Sequence, residues 1–197
     1  MPAGESNMKL RDRFLRYGVW PALMLFATVG RGWCHAQQTA PLPVAITACG
    51  QAADAVTVSQ LSSRLHVDHV FAKTLTAEGL QGIKTLVIVI GGSVSGLGGP
   101  NTDENHELSR IMALIARAKH LAVEVIAVHI GGESRRGASS DKLIQAVIDR
   151  ADYLIVTEAG NRDGLFTRAA RANTVPLVIV DEPVDVGREL KAVLSNQ

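Results

Sequence analysis

Apolar and polar positions in this chain fall into blocks whose period keeps switching between strand and helix. LPVAIT, Leu42 to Thr47, is a short apolar run that reads as a strand. Asp54 to Leu65 follows with Val56, Val58, Leu61 and Leu65 as apolar positions, and predicts a helix. VDHVF, Val67 to Phe71, is a weaker strand, and TAEGLQG, Thr76 to Gly82, a short turn or helix. KTLVIVI, Lys84 to Ile90, is continuous, β-branched and apolar on both faces, as a central parallel strand covered by helices on each side requires. Glu104 to His120 places Leu108, Ile111, Met112, Ile115 and Ala118 on one helical face.

The same alternation continues to the end. Strands are predicted at Ala122 to Ile130, Ala151 to Thr157 and Pro176 to Val180. Helices are predicted at Ser140 to Arg150, with Leu143, Ile144, Val147 and Ile148 inward, at Arg162 to Ala172 and at Val184 to Leu194. Repeated strand–helix units with short connections make a parallel sheet with right-handed crossovers. The expected fold is a doubly wound, flavodoxin-like or Rossmann-like sandwich of about six strands. The expected order is 2-1-3-4-5-6, with 3-2-1-4-5-6 as the alternative.

The beginning of the chain has a different character. MKLRDRFLR is basic, YGVWPALMLFATVG is a short apolar run, and Cys34 and Ala36 are small residues suited to a cut after Ala36. These features predict a secretory signal peptide over residues 1–36, with an uncleaved anchor as the alternative. Residues 37–41 then form a linker and residues 42–197 a single α/β domain. The expected location is periplasmic or secreted, without stable membrane insertion once the segment is removed.

Composition matters mainly after that removal. Residues 1–36 hold five basic residues against two acidic ones; the whole chain carries +1, so the remainder carries −2. A mildly acidic domain gives no electrostatic reason to expect nucleic acid. Its aromatic residues are Phe71, Phe166 and Tyr153, too few for a base-stacking platform. Cys49 is its one cysteine, so no internal disulfide can form and stability must come from the core.

Candidate chemistry follows from the topology. Open parallel sheets bind ligands beyond the carboxyl ends of the strands, where strand order reverses. The loops predicted at that edge are rich in glycine and polar groups: TACGQAAD after the first strand, GGSVSGLGGPNTDEN after the third, HIGGESRRGASSD after the fourth and TEAGNRDG after the fifth. Loops at the opposite edge are short and plain. The glycine segment lacks a G-x-G-x-x-G placed between a strand and a helix, and the chain has no G-x-x-x-x-G-K-[ST], so no nucleotide motif is present. Ser93 does not sit in a G-x-S-x-G elbow. No metal motif is present either, since His129 and Glu133 lack H-E-x-x-H spacing.

What the edge does offer is backbone amide for an anion, from Gly50, Gln51, Gly91, Gly92, Ser93, Ser95, Gly96 and Gly98. His129, Glu133, Arg135, Arg136 and Glu158 are the candidate side chains, with the arginines as countercharge or, alternatively, a solvated surface pair. Ser93 or Cys49, with His129 as base, is the candidate catalytic set of a competing hydrolase or transferase reading. The alternative for Cys49 is a small buried hydrophobe, and for Asp54 a plain first-turn acid. Asn161 is expected to cap the helix after the fifth strand.

Three stretches, GGSVSGLG, HIGGESRRG followed by SD, and ADYLIVTEAGNRDGLFT, resemble those of exported bacterial proteins that share a domain of unknown function. The resemblance covers Pro43 to about Leu194 and implies an exported α/β protein. It supplies no activity, cofactor or catalytic residue. The expectation carried forward is a small-molecule-binding or accessory protein, its ligand an anionic metabolite at the C-terminal edge of the sheet. An interaction module of an envelope complex is the remaining alternative.

Overall fold

A computed structural model describes residues 40–50, 53–92 and 102–195 of the chain. The predicted signal and linker segments lie outside these, apart from Ala40 and Pro41. Six strands form one all-parallel sheet: β1 (Val44–Cys49), β2 (His69–Phe71), β3 (Thr85–Ile90), β4 (Glu124–His129), β5 (Tyr153–Thr157) and β6 (Leu177–Val180). Their spatial order is β2-β1-β3-β4-β5-β6, the order expected from the sequence. Five helices connect and cover them: α1 (Asp54–Arg64), α2 (Thr102–His120), α3 (Ala138–Ile148), α4 (Leu165–Asn173) and α5 (Pro183–Ser195). A 3₁₀ turn, Ala77–Leu80, stands in the β2–β3 crossover.

The central strands are buried on both faces because each face meets a helix layer. Leu86, Ile88 and Ile90 of β3 pack with Ile111, Leu114 and Ile115 of α2, Ile144 and Val147 of α3, and Phe166 of α4. Val87 and Val89, pointing the other way, pack with Val58 of α1 and with Val186, Leu190 and Val193 of α5. Two-sided burial explains why β1 and β3 read as continuous apolar runs and not as alternating ones.

Local chemistry shifts some boundaries from those expected. On α1 the buried face is Ala55, Val58 and Ser62, and Val56 is exposed, since a residue one step from Ala55 lies about 100° around the helix. The helix expected from Arg162 begins at Leu165. Asn161 Oδ1 accepts from the backbone N–H groups of Phe166 and Thr167 at 3.1 and 3.3 Å, so it does cap the first turn. It does so across a tight turn closed by the Gly164 N–H on the Asn161 carbonyl, with Gly164 in the left-handed region (φ 70°).

Candidate functional site

Helices α1 and α2 leave the carboxyl ends of β1 and β3 toward opposite faces, so the strand order reverses between these two strands. The floor of that crevice is tightly joined. The Gly91 N–H donates to the Cys49 carbonyl at 3.3 Å. Gly50 has φ 82°, and a Cβ there would lie 2.9 Å from the Gly91 carbonyl oxygen, so only glycine fits.

An ion pair on α2 locks the same corner. Arg110 Nε and Nη2 donate to the two Glu107 oxygens at 2.8 and 2.7 Å. Arg110 Nη2 also reaches the Ala48 carbonyl at 2.6 Å, and Nη1 the Leu75 carbonyl at 2.7 Å. Glu107 Oε1 accepts the Gly50 N–H at 2.8 Å. The amide predicted for a ligand anion at Gly50 is therefore held by a carboxylate of the protein itself. Burial opposes ionisation of Glu107, yet the hydrogen bonds from Arg110 and Gly50 hold its pKa below the ordinary value. Neither residue stands out in the sequence, because their partners are backbone atoms distant along the chain; the i, i+3 spacing of opposite charges is the one available signal.

Asp54 opens α1 and is nearly buried. Its Oδ1 pairs with Arg135 Nη2 at 3.2 Å. Its Oδ2 is buried and has no hydrogen-bond partner among the described residues. A Cβ added at Gly91 would stand 3.4 Å from this Oδ2 and 3.7 Å from both His129 Nδ1 and Arg135 Cβ, so Gly91 is where these three side chains meet.

His129 ends β4 and is fully buried. Its Nδ1 lies 2.7 Å from the Ile90 carbonyl, which can only accept, so Nδ1 carries the proton. Among the described residues, Nε2 is the other buried side-chain atom without a hydrogen-bond partner. Burial lowers the pKa of the imidazole, and the nearby Arg136 charge lowers it further, against the Ile90 hydrogen bond and the Asp54 charge. The ring is neutral at pH 7. Phe166 lies against it at 5.1 Å between centroids. A Cβ at Gly160 would fall 2.3 Å from His129 Cδ2 and 2.5 Å from the Gly131 carbonyl oxygen, so the β5 loop closes directly over the ring.

Arg136 binds the β4 and β5 loops together. Its Nε donates to Asp141 at 2.6 Å, its Nη2 to Asp163 at 2.9 Å, and its Nη1 to the Gly160 carbonyl at 3.0 Å, with the guanidinium over the Phe166 ring at 5.8 Å. The hydrogen bonds to Asp141 and then Asp163 raise the arginine pKa, and the reciprocal bond lowers Asp163 to about 2. The two arginines expected as countercharge are thus both committed, Arg135 to Asp54 and Arg136 to two carboxylates.

Gly92 packs against Ser140, with room for no Cβ. Glu133 opens the short 3₁₀ turn Glu133–Arg135, and Glu158 is exposed in the turn Glu158–Gly160. Gln51, Ser93, Ser95, Gly96 and Gly98 lie outside the described residues. Cys49 belongs to the core cluster; burial, with the Glu107 charge, pushes its thiol pKa far up, so it is neither exposed nor ionised. Among the described residues there is no cluster of three or more metal-ligating side chains, and no helix is long and apolar enough to cross a membrane.

A family model described as a domain of unknown function, DUF6305, matches residues 41–194. The chain belongs to this family. The match spans the sheet and all five helices, so the crevice between β1 and β3 and the Arg136 clamp both lie within the DUF6305 domain. No curated protein and no solved structure matches the chain.

Proposed function

We propose that this domain is an exported small-molecule-binding or accessory protein whose ligand sits at the C-terminal edge of the sheet, against the wall made by Asp54, Gly91 and Arg135. The observation that carries this reading is Asp54 Oδ2, buried and without a hydrogen-bond partner among the described residues. A buried polar oxygen without a hydrogen-bond partner costs stability, and a ligand that donates to it removes that cost. Export rests on the basic and apolar character of residues 1–36.

Charge balance refines the ligand class. At the wall Asp54 and Arg135 balance in charge, and the open position is the acceptor Asp54 Oδ2, so the wall has no excess positive charge for an anion. It favours a group that donates: an ammonium, an amide or a hydroxyl. An anionic group on the same molecule, as the glycine segment leads one to expect, would need amides from residues 93–101. The hydrolase reading draws no support from Cys49 and His129, which are buried and chemically quiet.

A thermal-shift screen with amines and amino acids, polyols, and carboxylates and phosphates tests this reading. A cognate ligand at about 100 times its Kd stabilises by about 2.7 kcal/mol, which is a Tm rise of roughly 5–10 °C for a domain of this size. Asp54→Asn should abolish the rise. A screen in which no class raises Tm, or in which pure anions raise it equally in wild type and Asp54→Asn, overturns the proposal.

A further inference from the structure

The two edges of the sheet differ in what they leave open. β2 is three residues long, and its His69 is tied back by Ser59 Oγ at 2.8 Å and the Val67 carbonyl at 2.8 Å. β6 is a run of four apolar residues, LVIV, each at least partly exposed, with Ile179 46% exposed. It carries no charge, and no bulge or covering element of the kind that usually blunts an edge is found among the described residues.

Hydrogen-bond direction follows from the register. Leu154 pairs with Leu177, and the Leu154 N–H donates to the Pro176 carbonyl at 2.9 Å. Groups of Pro176, Val178 and Val180 therefore face β5, while the N–H and C=O of Leu177 and Ile179 face outward. The missing N–H of Pro176 points inward and removes nothing from the outer edge. The Val175 N–H is already used, on the Ala170 carbonyl at 2.9 Å, so the open set ends at Leu177.

This open set is self-complementary. If a second β6 runs antiparallel about a two-fold axis through Val178, Leu177 stands opposite the partner's Ile179 and exchanges both bonds with it, and the reverse pair does the same. Charge matches as well. Arg171, in the last turn of α4, precedes β6 by six residues, on the side of the strand's N-terminal end; Asp181 and Glu182 directly follow its C-terminal end. All three are exposed, and none is engaged in an ion pair among the described residues. Antiparallel pairing brings the basic end of one copy to the acidic end of the other, twice. A parallel or shifted pairing would set like charges together or leave the outward groups unmatched.

We infer that a second copy of this chain docks on β6, joining the two sheets into one of twelve strands about a two-fold axis at Val178. The contact is small, so the dimer is a reversible one, with a Kd on the order of micromolar.

Sedimentation velocity at loading concentrations up to about 200 µM, combined with cysteine cross-linking, tests the inference. Val178 faces its own copy in a non-hydrogen-bonded pair, where Cα atoms stand about 4.5 Å apart, within disulfide range. Val178→Cys should oxidise to a covalent dimer, and Val70→Cys on the opposite edge should not. Ile179→Lys should weaken association at least about tenfold. Arg171→Glu should weaken it too, and the added Asp181→Arg and Glu182→Arg changes should restore it. A chain that stays monomeric throughout the range, or a dimer that ignores Ile179→Lys while Val178→Cys fails to cross-link, overturns the inference.

Discussion

Two buried side chains at the rim, His129 and Cys49, make opposite use of the same physics. Burial disfavours the charged form of each, which leaves His129 a neutral imidazole protonated at Nδ1 alone and Cys49 a neutral thiol. For His129 the consequence for stability has a definite sign. Its folded pKa lies below the ordinary 6.5, so below that pH the unfolded chain takes up a proton that the folded chain refuses. Stability should fall as pH drops from about 6.5 toward the folded pKa, by at most about 1.4 kcal/mol per pH unit for this one group. Asp163 acts in a separate window: its depressed pKa of about 2 contributes stability above 3.8 that is lost only as pH falls toward 2. Urea denaturation between pH 5 and 7.5 should show the histidine slope, and His129→Asn should flatten it. For Cys49 the expected outcome is kinetic. Iodoacetamide at about pH 8 should label the thiol no faster than the domain unfolds, and fast labelling of the native protein would return Cys49 to the list of nucleophiles. The sequence offered a buried alternative for Cys49 and none for His129. It could not tell a strand-end histidine that faces solvent from one roofed by Gly160, because that roof comes from a loop about thirty residues further on.

Two arginines join elements at the rim through carboxylates and backbone carbonyls. Arg136 ties the loop before α3 to the loop before α4, and Arg110 ties α2 to the ends of β1 and the β2–β3 crossover. Periodicity made α2 and α3 legible, since their inward faces repeat at three and four residues. It left the start of α4 three residues early, because the Asn161–Gly164 turn mimics a first helical turn in composition while Gly164 adopts the left-handed conformation. It also left Arg136 undecided between ligand countercharge and surface pair, and the structure assigns it a third role, as a fork between Asp141 and Asp163. That role requires planarity as well as charge. Lysine keeps the charge but cannot serve both carboxylates and the Gly160 carbonyl at once. Arg136→Lys should therefore destabilise the domain by about 2 kcal/mol, a drop of roughly 4–8 °C in Tm measured by calorimetry. A variant within about 1 °C of wild type would mean that the two loops hold their places without the clamp.

Across the whole molecule, strand order and burial set a gradient of stability running outward from the β1–β3–β4 centre. β1 and β3 are buried at every position and β4 at five of six, whereas β2 and β6 are partly exposed throughout. This gradient was legible from sequence, since KTLVIVI and AVEVIAVHI have the continuous apolar character of covered strands and VDHVF does not. The edge place of β6 was legible too, since both strand orders expected from the sequence put it outermost, although LVIV taken alone has the composition of a central strand. Hydrogen exchange should report the gradient directly. Amides of β1, β3 and β4 should exchange through global unfolding, and those of β2 through smaller openings. Within β6 the pattern should alternate. Val178 and Val180, whose N–H groups face β5, should be protected, while Leu177 and Ile179 should exchange at near-open rates in dilute protein. Raising the concentration should slow Leu177 and Ile179 selectively if copies pair along this edge, because those two amides are the ones such pairing would cover. Uniform protection across β6 at every concentration would place its outward groups in bonds within the chain, and the edge would then not be open.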